Sequence, residues 1–367
     1  LVFENFFTPF IKLGLYILRE KNSDSIENCF EKSFATSLLE RLSRVSLSTL
    51  IFEMYLNKEE GNLKGKNSRE EYIYYNDKLL NENTYISSLF EIYPCWERLI
   101  YENIYYLTKS YSMLIQRLKN DHLSIVKILC DGVEFYRPVE IKTSISDSHK
   151  EGETVAIISL DNGKKIVYKP RSLKAEKAYQ NFVSELSSKL AIKLKSIMVL
   201  DYKQYGWEEY IEAKSCSTLI ELKRYYYRFG VLIFVNYILN ANDLHVENVI
   251  AMGEYPMVVD AETILDNKRD IDEETARNII NDIIHESVLY SGLLPYYRFG
   301  RKGKGVNMSA INGKGGAEYP ILLPTIKDAG TSNMRYEYER PVSQENSNLA
   351  KLKNDFLEPS QFMEEIC

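Results

Sequence analysis

Apolar residues recur every three or four positions through the first third of the chain, a spacing typical of helices that bury one face. Three long segments show it: LVFENFFTPFIKLGLYILRE, SFATSLLERLSRVSLSTLIFEMYL and SLFEIYPCWERLIYENIYYLTKSYSMLIQRLKND, the last broken at Pro94. The charged, glycine-containing segment NKEEGNLKGKNSREE predicts a loop between them. Tyr and Phe stripes on these helices could line a ligand groove, but at this spacing they more often form a core. We therefore expect residues 1–125 to be a helical region with an aromatic core.

The pattern changes after Gly132. Residues 155–160 (VAIISL) are apolar and β-branched, Asp-Asn-Gly follows at 161–163, and KKIVYKP comes next. Two strand-like runs around an Asn-Gly turn predict a β-hairpin. The segment SLKAEKAYQNFVSELSSKLAIKL then predicts a helix, and SIMVLDYKQYGWEEYIE suggests a strand and a hinge. We group these elements as residues 126–212.

The remaining residues, 213–367, begin with a long amphipathic helix pattern, STLIELKRYYYRFGVLIFVNYILNA, and a second helix is predicted within DIDEETARNIINDIIHESVL. Residues 291–316 are rich in glycine, lysine and arginine, which fits a substrate-binding loop and a plain solvated loop equally well. Residues 341–359 are polar and are expected to be poorly ordered.

Composition narrows the function classes. The 367 residues are 45% hydrophobic and 27% charged, which leaves room for two or three packed units, and the net charge of −6 gives no general reason to expect nucleic-acid binding. Five cysteines lie far apart without a CxxC pair, which argues for a reducing, cytoplasmic setting and against structural zinc. No apolar run is long enough to span a bilayer. Because the chain starts at Leu1 and stops in a helix-like segment, FMEEIC, we expect a fragment of a longer protein.

The densest polar motif is D-x-H-x-x-N, formed by Asp243, His245 and Asn248. A glycine–proline turn and the apolar run MVV follow, and the run ends on Asp260. Kinases use a loop, a turn and a strand in this order to hold ATP-bound Mg²⁺, which accepts carboxylate and amide oxygens. In that arrangement Asp243 orients the attacking hydroxyl, and Asn248 and Asp260 hold the metal. The alternative, a helix–strand connection with surface charges, is disfavoured because four polar residues fall in kinase order within eighteen positions.

Two further features bear on the chemistry. Lys169 ends the second strand of the predicted hairpin and precedes a helix, where a kinase places the lysine that grips ATP phosphates, although a solvated strand-end lysine would look the same. Asp147 and His149, upstream of the hairpin, could be an acid–base dyad or a capped turn. No phosphate-cradling glycine loop precedes the lysine strand, which counts against an ordinary protein kinase.

Taken together, these motifs resemble the dehydratase domain of the class II lanthipeptide synthetases, the LanM enzymes, over nearly the whole chain. The segments that carry the resemblance are Asp243–Asn248 (DLHVEN), Val258–Thr263 (VVDAET), Tyr168–Arg171 (YKPR), Ser146–His149 (SDSH), Tyr225–Gly230 (YYYRFG), His285–Pro295 (HESVLYSGLLP) and Gly330–Arg335 (GTSNMR). The resemblance implies an α+β fold with a two-lobed core similar to that of lipid kinases and an added helical N-terminal region. Residues 126–212 would be the N-lobe and residues 213–367 the C-lobe.

The resemblance also implies two activities in one site. ATP with Mg²⁺ would phosphorylate Ser and Thr side chains of a ribosomal precursor peptide, made of a leader and a Ser/Thr/Cys-rich core. Elimination of the phosphate would then leave dehydroalanine or dehydrobutyrine. For the first step, Lys169 and Arg171 would bind ATP, Asp243 would orient or deprotonate the substrate hydroxyl, and His245 would support the loop.

The metal and the elimination step would use other residues. Asn248 and Asp260 would hold Mg²⁺, with Glu262 adjoining them, while Asp147 and His149 match the family's elimination pair. Elimination needs a base for the α-proton and positive groups for the leaving phosphate, which a kinase does not need. This pair is therefore the reason to prefer a dehydratase over a simple kinase.

The chain departs from the family in three ways. We expect the Arg and Thr that the family uses for elimination to fall after Cys367. The zinc cyclase domain of the full synthetases is expected there as well. Asn307 stands where the family more often has Asp. The competing hypotheses are a lipid-kinase-like protein or small-molecule kinase in which Asp147 and His149 are structural, and a pseudoenzyme that only binds peptide.

Overall fold

The N-terminal region folds into helices, as its apolar spacing predicts. The structure, a computed structural model, describes residues 2–22, 26–143, 152–266, 275–299, 305–353 and 355–367. The helices of this region are α1 (Glu4–Lys21), α2 (Asn28–Glu59), α3 (Ser68–Asp77), α4 (Asn83–Ile92) and α5 (Pro94–Leu129). Helix α5 starts at Pro94, where proline is well tolerated because the first helical N–H has no partner in the helix.

Aromatic side chains form much of the core of these helices. Phe6 stacks on Trp96 with ring centres 5.1 Å apart, and Phe34 meets Tyr111 edge-on at 5.3 Å. All four are buried. The prediction of an aromatic core is confirmed for them, whereas Tyr105 of α5 remains 57% exposed.

The predicted loop in NKEEGNLKGKNSREE is shorter than expected. Helix α2 continues to Glu59 and α3 begins at Ser68, so the connection spans residues 60–67. Asn67 explains the early start of α3, because its side chain accepts hydrogen bonds from the backbone N–H groups of Arg69 at 3.1 Å and Glu70 at 3.0 Å.

The predicted hairpin is present. Strands β1 (Pro138–Lys142), β2 (Ala156–Leu160) and β3 (Lys165–Lys169) pair antiparallel in that order. Leu160 N donates to Lys164 O at 2.8 Å across the turn, where Gly163 has a φ of 83° that favours glycine. Two later strands, β10 (Leu323–Lys327) and β11 (Arg335–Glu339), form a separate two-stranded sheet.

The chain divides into two compact units. The first contains Leu1–Pro170 and Pro324–Glu339, and the second contains Arg171–Leu323 and Arg340–Cys367. The predicted boundaries at residues 125 and 212 stay a prediction. Both helices and strands contribute throughout, so the α+β class is confirmed.

The second unit holds the D-x-H-x-x-N motif. Its elements are α6 (Lys174–Lys189), β4 (Val199–Asp201), β5 (Gly206–Glu209), α7 (Leu219–Ile238), β6 (Val249–Met252), β7 (Tyr255–Val258), α8 (Ala276–His285), β8 (Tyr297–Phe299), β9 (Gly305–Asn307) and α9 (Met363–Ile366). Helix α7 supplies buried Tyr225, Phe229 and Leu232 to the core, and Tyr226 stacks on Phe362 at 4.5 Å. Within residues 291–316, β8 and β9 pair antiparallel, and residues 300–304 lie outside the described part.

The expectation of poor order for residues 341–359 is wrong for the described part of that segment. Leu349 and Ala350 are buried in the core of the second unit, at 2% and 1% exposure. Backbone hydrogen bonds hold the segment, since Ala251 N donates to Asn348 O at 2.6 Å and Cys216 N donates to Lys351 O at 2.8 Å. Separately, none of the described helices is both long and apolar enough to cross a membrane.

Candidate active site

The loop after α7 presents Asp243 from a fixed backbone. Asp243 has a φ of 64°, in the left-handed region that few non-glycine residues adopt. Its neighbours are held on both sides, because Asn242 N donates to Thr263 O at 3.0 Å and Leu244 N donates to Ser291 O at 2.9 Å. The Asp243 side chain is 61% exposed. Its carboxylate is therefore accessible to a substrate while its backbone is restrained.

His245 and Asn248 both turn toward Asp243. The Nε2 atom of His245 lies 3.8 Å from Asp243 Oδ1, while its Nδ1 accepts a hydrogen bond from Glu247 N at 3.2 Å. This acceptor role assigns the proton of a neutral ring to Nε2, the nitrogen nearer Asp243. Asn248 donates from Nδ2 to the backbone oxygen of Asp243 at 2.7 Å. Because the Asn248 side chain donates through its nitrogen, its amide oxygen is the atom that can accept a hydrogen bond or a metal.

The β6–β7 hairpin brings Asp260 to the same loop. Val249 pairs with Val258, and Val259 N donates to Asn248 O at 3.0 Å, so the antiparallel pairing continues one step beyond the strands. Asp260 follows at once. Asn248 thus lies opposite Val259, the residue before Asp260, although Asn248 and Asp260 are twelve positions apart in sequence.

Arg171 joins the predicted metal residues. Its Nη2 lies 2.7 Å from Asp260 Oδ1, its Nε lies 3.0 Å from Glu262 Oε2, and its Nη1 pairs with Glu176 Oε1. Burial is the largest influence on the pKa of Arg171 and lowers it, but the three carboxylates together outweigh it and raise the pKa. The guanidinium therefore stays charged and links β7 to the start of α6.

Glu176 was missed by sequence reasoning. Its side chain is 2% exposed, and an acid in the first turn of a helix usually looks like a helix-dipole partner at the surface. Gln180 was missed as well. It donates from Nε2 to Val258 O at 3.0 Å and accepts from Ile197 N at 2.9 Å, which fixes the strand that leads to Asp260. Their positions four residues apart on one face of α6 were the available signal.

Three predicted residues lie outside the described part of the second unit. Lys169 is the last residue of β3 in the first unit and is 5% exposed. Asp147 and His149 lie in residues 144–151, outside the described residues. Among the described residues, no three or more His, Cys, Asp and Glu side chains form a metal-holding cluster. A cation at this site would therefore depend on mixed ligands such as Asn248 with Asp260.

Comparison with known proteins assigns the family. A profile of "Domain of unknown function (DUF4135)" matches residues 93–367. The chain belongs to the DUF4135 family. All the site residues described above lie within the DUF4135 match, whereas helices α1 to α4 precede it.

A curated relative gives the family its context. The chain is 27% identical over 292 residues to "Lacticin 481/lactococcin biosynthesis protein LcnDR2" of Lactococcus lactis subsp. lactis. The alignment covers 76% of this chain and 31% of the relative, so the chain spans about a third of that protein's length. With the DUF4135 match, this similarity confirms the predicted relationship to the LanM-type, class II lanthipeptide synthetases.

Proposed function

We propose that this chain carries the ATP-dependent phosphorylation site of a lanthipeptide dehydratase. The observation that carries the proposal is the juxtaposition of Asp243, Asn248 and Asp260 around one loop and hairpin. The order of a lysine-bearing strand, a helix, this loop and an acid-bearing strand supports a lipid-kinase-like core. The similarity to a protein named for lacticin 481 biosynthesis supports a precursor peptide as the substrate.

Asp243 would act on the substrate hydroxyl. Its exposed carboxylate can accept a hydrogen bond, and then the proton, from a Ser or Thr side chain as the hydroxyl oxygen attacks the γ-phosphorus of ATP. The bond from the γ-phosphorus to the β,γ-bridging oxygen breaks, and ADP leaves with the electron pair. His245 would direct its Nε2–H toward Asp243, and the Asn248 amide would hold the Asp243 backbone. These contacts position the carboxylate before the substrate arrives, which lowers the cost of reaching the reactive geometry.

The donor set fits Mg²⁺. The Asn248 amide oxygen and the Asp260 carboxylate are hard oxygen ligands, and Glu262 adjoins them. When bound, Mg²⁺ would neutralise the charge on the transferring phosphate. Arg171 and Lys169 would add positive charge for the ATP phosphates. Arg171 contacts both Asp260 and Glu262, so a bound metal would either share these carboxylates with the guanidinium or displace it from them.

Elimination would complete the dehydration. A base takes the α-proton of the phosphorylated residue, the Cα–Cβ double bond forms, and the Cβ–O bond breaks so that phosphate leaves with the electron pair. Asp147 and His149 are proposed for this step on the basis of the family resemblance, and they lie outside the described residues. The Asp243 loop supports the phosphorylation half directly.

Mass spectrometry of a Ser/Thr-rich precursor peptide, incubated with the protein, ATP and Mg²⁺, tests the proposal. Gain of phosphate on Ser or Thr is the result expected of this chain, and loss of one water per modified site is expected where the family's elimination Arg and Thr are present as well. Phosphate that persists on the peptide indicates a kinase without elimination. A peptide that gains no phosphate and loses no water contradicts both.

A further inference from the structure

A pocket opens among the N-terminal helices. It has a volume of about 790 Å³ and lies between the end of α2, helix α3 and helix α4. This volume falls within the range of small-ligand sites, roughly 300–1,000 Å³. Its lining residues run from Glu53 to Tyr93, so all but the last precede the DUF4135 match. None of the residues described at the site around Asp243 lines this pocket.

A buried carboxylate faces this pocket. Glu53 is 7% exposed, and the Tyr93 hydroxyl donates to its Oε1 at 2.5 Å. The other oxygen, Oε2, accepts no hydrogen bond from the described residues. The hydrogen bond to Glu53 is the largest cause that raises the pKa of Tyr93, to about 12. A buried carboxylate with spare acceptor capacity favours a cationic partner, because unpaired buried charge is costly.

The rest of the lining suits a cation on an apolar stem. Tyrosines at 74, 85 and 93 supply aromatic faces, and the apolar lining residues are Leu56, Leu79, Leu89 and Ile92. Asn57 fixes Tyr85, because its Nδ2 donates to the Tyr85 hydroxyl at 2.8 Å. An ammonium already uses one aromatic face, since Lys64 Nζ lies 5.6 Å from the centre of the Tyr74 ring. Glu60 adds a second negative charge, so the two carboxylates of the lining outnumber its one lysine, Lys64.

We propose that this pocket binds a primary ammonium group on an aliphatic stem, supplied by a lysine side chain of the peptide substrate. The ammonium would contact Glu53 Oε2, and the stem would pack on the tyrosine rings and the apolar residues. The ammonium chemistry follows from the pocket itself. The identification of the source as a peptide rests on the proposed function, and a free aliphatic diamine is the other source of the same chemistry.

Calorimetric titration of the whole chain, without ATP, tests the proposal. Nα-acetyl-lysine amide, whose side-chain ammonium is free, is expected to bind about tenfold more tightly than Nα-acetyl-norleucine amide, which has a similar stem and no ammonium. Glu53→Gln, which keeps an oxygen for the Tyr93 hydroxyl, should weaken lysine binding by about tenfold. Glu91→Gln is the matched control, because Glu91 is an exposed residue of α4 outside the pocket lining and should leave binding unchanged.

A second variant covers the case in which Glu53→Gln does not fold. Ser88→Phe places a ring in the pocket from an exposed position and should abolish lysine binding. No binding of Nα-acetyl-lysine amide, equal binding of the norleucine compound, or unchanged binding in Ser88→Phe would overturn the proposal.

Two further ligands distinguish the sources. A lysine-containing peptide should bind more tightly than 1,5-diaminopentane, and the reverse order would overturn the peptide source. Peptide phosphorylation is measured separately. If the unmodified chain phosphorylates the peptide but does not bind the lysine compound, only the present inference is contradicted.

Discussion

Arg171 and Asp260 form an ion pair with 2.7 Å between Nη2 and Oδ1, at the residue proposed to hold Mg²⁺. Arg171 also contacts Glu262 and Glu176, so one guanidinium pairs with three carboxylates. The arginine is 19% exposed, and Asp260 is 32% exposed. Arg171 therefore holds the acids of the site together and would compete with the proposed Mg²⁺ for Asp260.

Replacement of Arg171 should change metal binding in a defined direction. Without nucleotide, Arg171→Met should bind Mn²⁺ roughly fivefold more tightly, because about 1 kcal/mol of ion-pair competition for the carboxylates is removed. Binding of Mn²⁺ with ATP should weaken, since the phosphates lose a cation. Electron paramagnetic resonance of free Mn²⁺ measures both. Arg224→Met is the control, because Arg224 is exposed and pairs with Glu254, which is not an acid of the site. Weaker Mn²⁺ binding by Arg171→Met without nucleotide would contradict this account.

Asn248 is predicted to have two separable roles. Asn248→Asp retains an oxygen ligand for the metal but loses the donor to the Asp243 backbone oxygen. We expect Mn²⁺ binding to be retained and kcat for peptide phosphorylation to fall by about tenfold or more, because a misplaced catalytic group is costly. Asn248→Ala should lose both. Equal kcat in Asn248→Asp and the wild type would show that the hydrogen bond to Asp243 is unimportant.

Gly230 of α7 is predicted to be essential for docking the C-terminal helix. A Cβ atom at this position would lie 2.1 Å from the backbone oxygen of Ile366 in α9. Gly230→Ala should therefore lower the free energy of unfolding by about 2 kcal/mol, measured by urea denaturation.

A shortened chain provides the control for Gly230. In a chain ending at Phe362 the same substitution meets no α9 backbone, and it should stabilise by up to about 1 kcal/mol because alanine favours helices over glycine. Destabilisation of equal size in both chains would refute the role of α9.

Tyr93 should contribute stability that is lost at alkaline pH. Its pKa is raised to about 12 through the hydrogen bond to Glu53, from an ordinary value of about 10. A raised folded-state pKa means that the contribution is complete below about pH 10 and is lost as pH rises toward 12. The difference in free energy of unfolding between wild type and Tyr93→Phe should be constant up to about pH 9 and then shrink. Urea denaturation across this range measures it, and a difference that grows with pH has the wrong sign.

Local patterns predicted the elements that depend on neighbouring residues. The Asn-Gly turn predicted the hairpin of β2 and β3. The D-x-H-x-x-N spacing predicted that Asp243, His245 and Asn248 share one loop. Such features need only nearby residues and their backbone preferences, so they can be read from sequence.

Contacts between distant segments were not predicted. Leu349 is buried within a polar stretch because its neighbours hydrogen-bond to residues near positions 216 and 251. Glu176 is buried because a guanidinium neutralises it. The spacing of Glu176 and Gln180 indicates a shared helix face, but neither hydropathy nor spacing identifies the partner that the fold brings to that face.

Transfer of a labelled γ-phosphate from ATP to Ser and Thr of the precursor peptide tests the central claim most directly. The protein with Mg²⁺ should label the peptide before dehydrated product forms. Asp243→Asn and Asp260→Asn should each abolish labelling, while Glu247→Gln, an exposed change within the same loop, should retain it. Dehydration without label transfer, or equal labelling by Asp243→Asn and Glu247→Gln, would contradict the account.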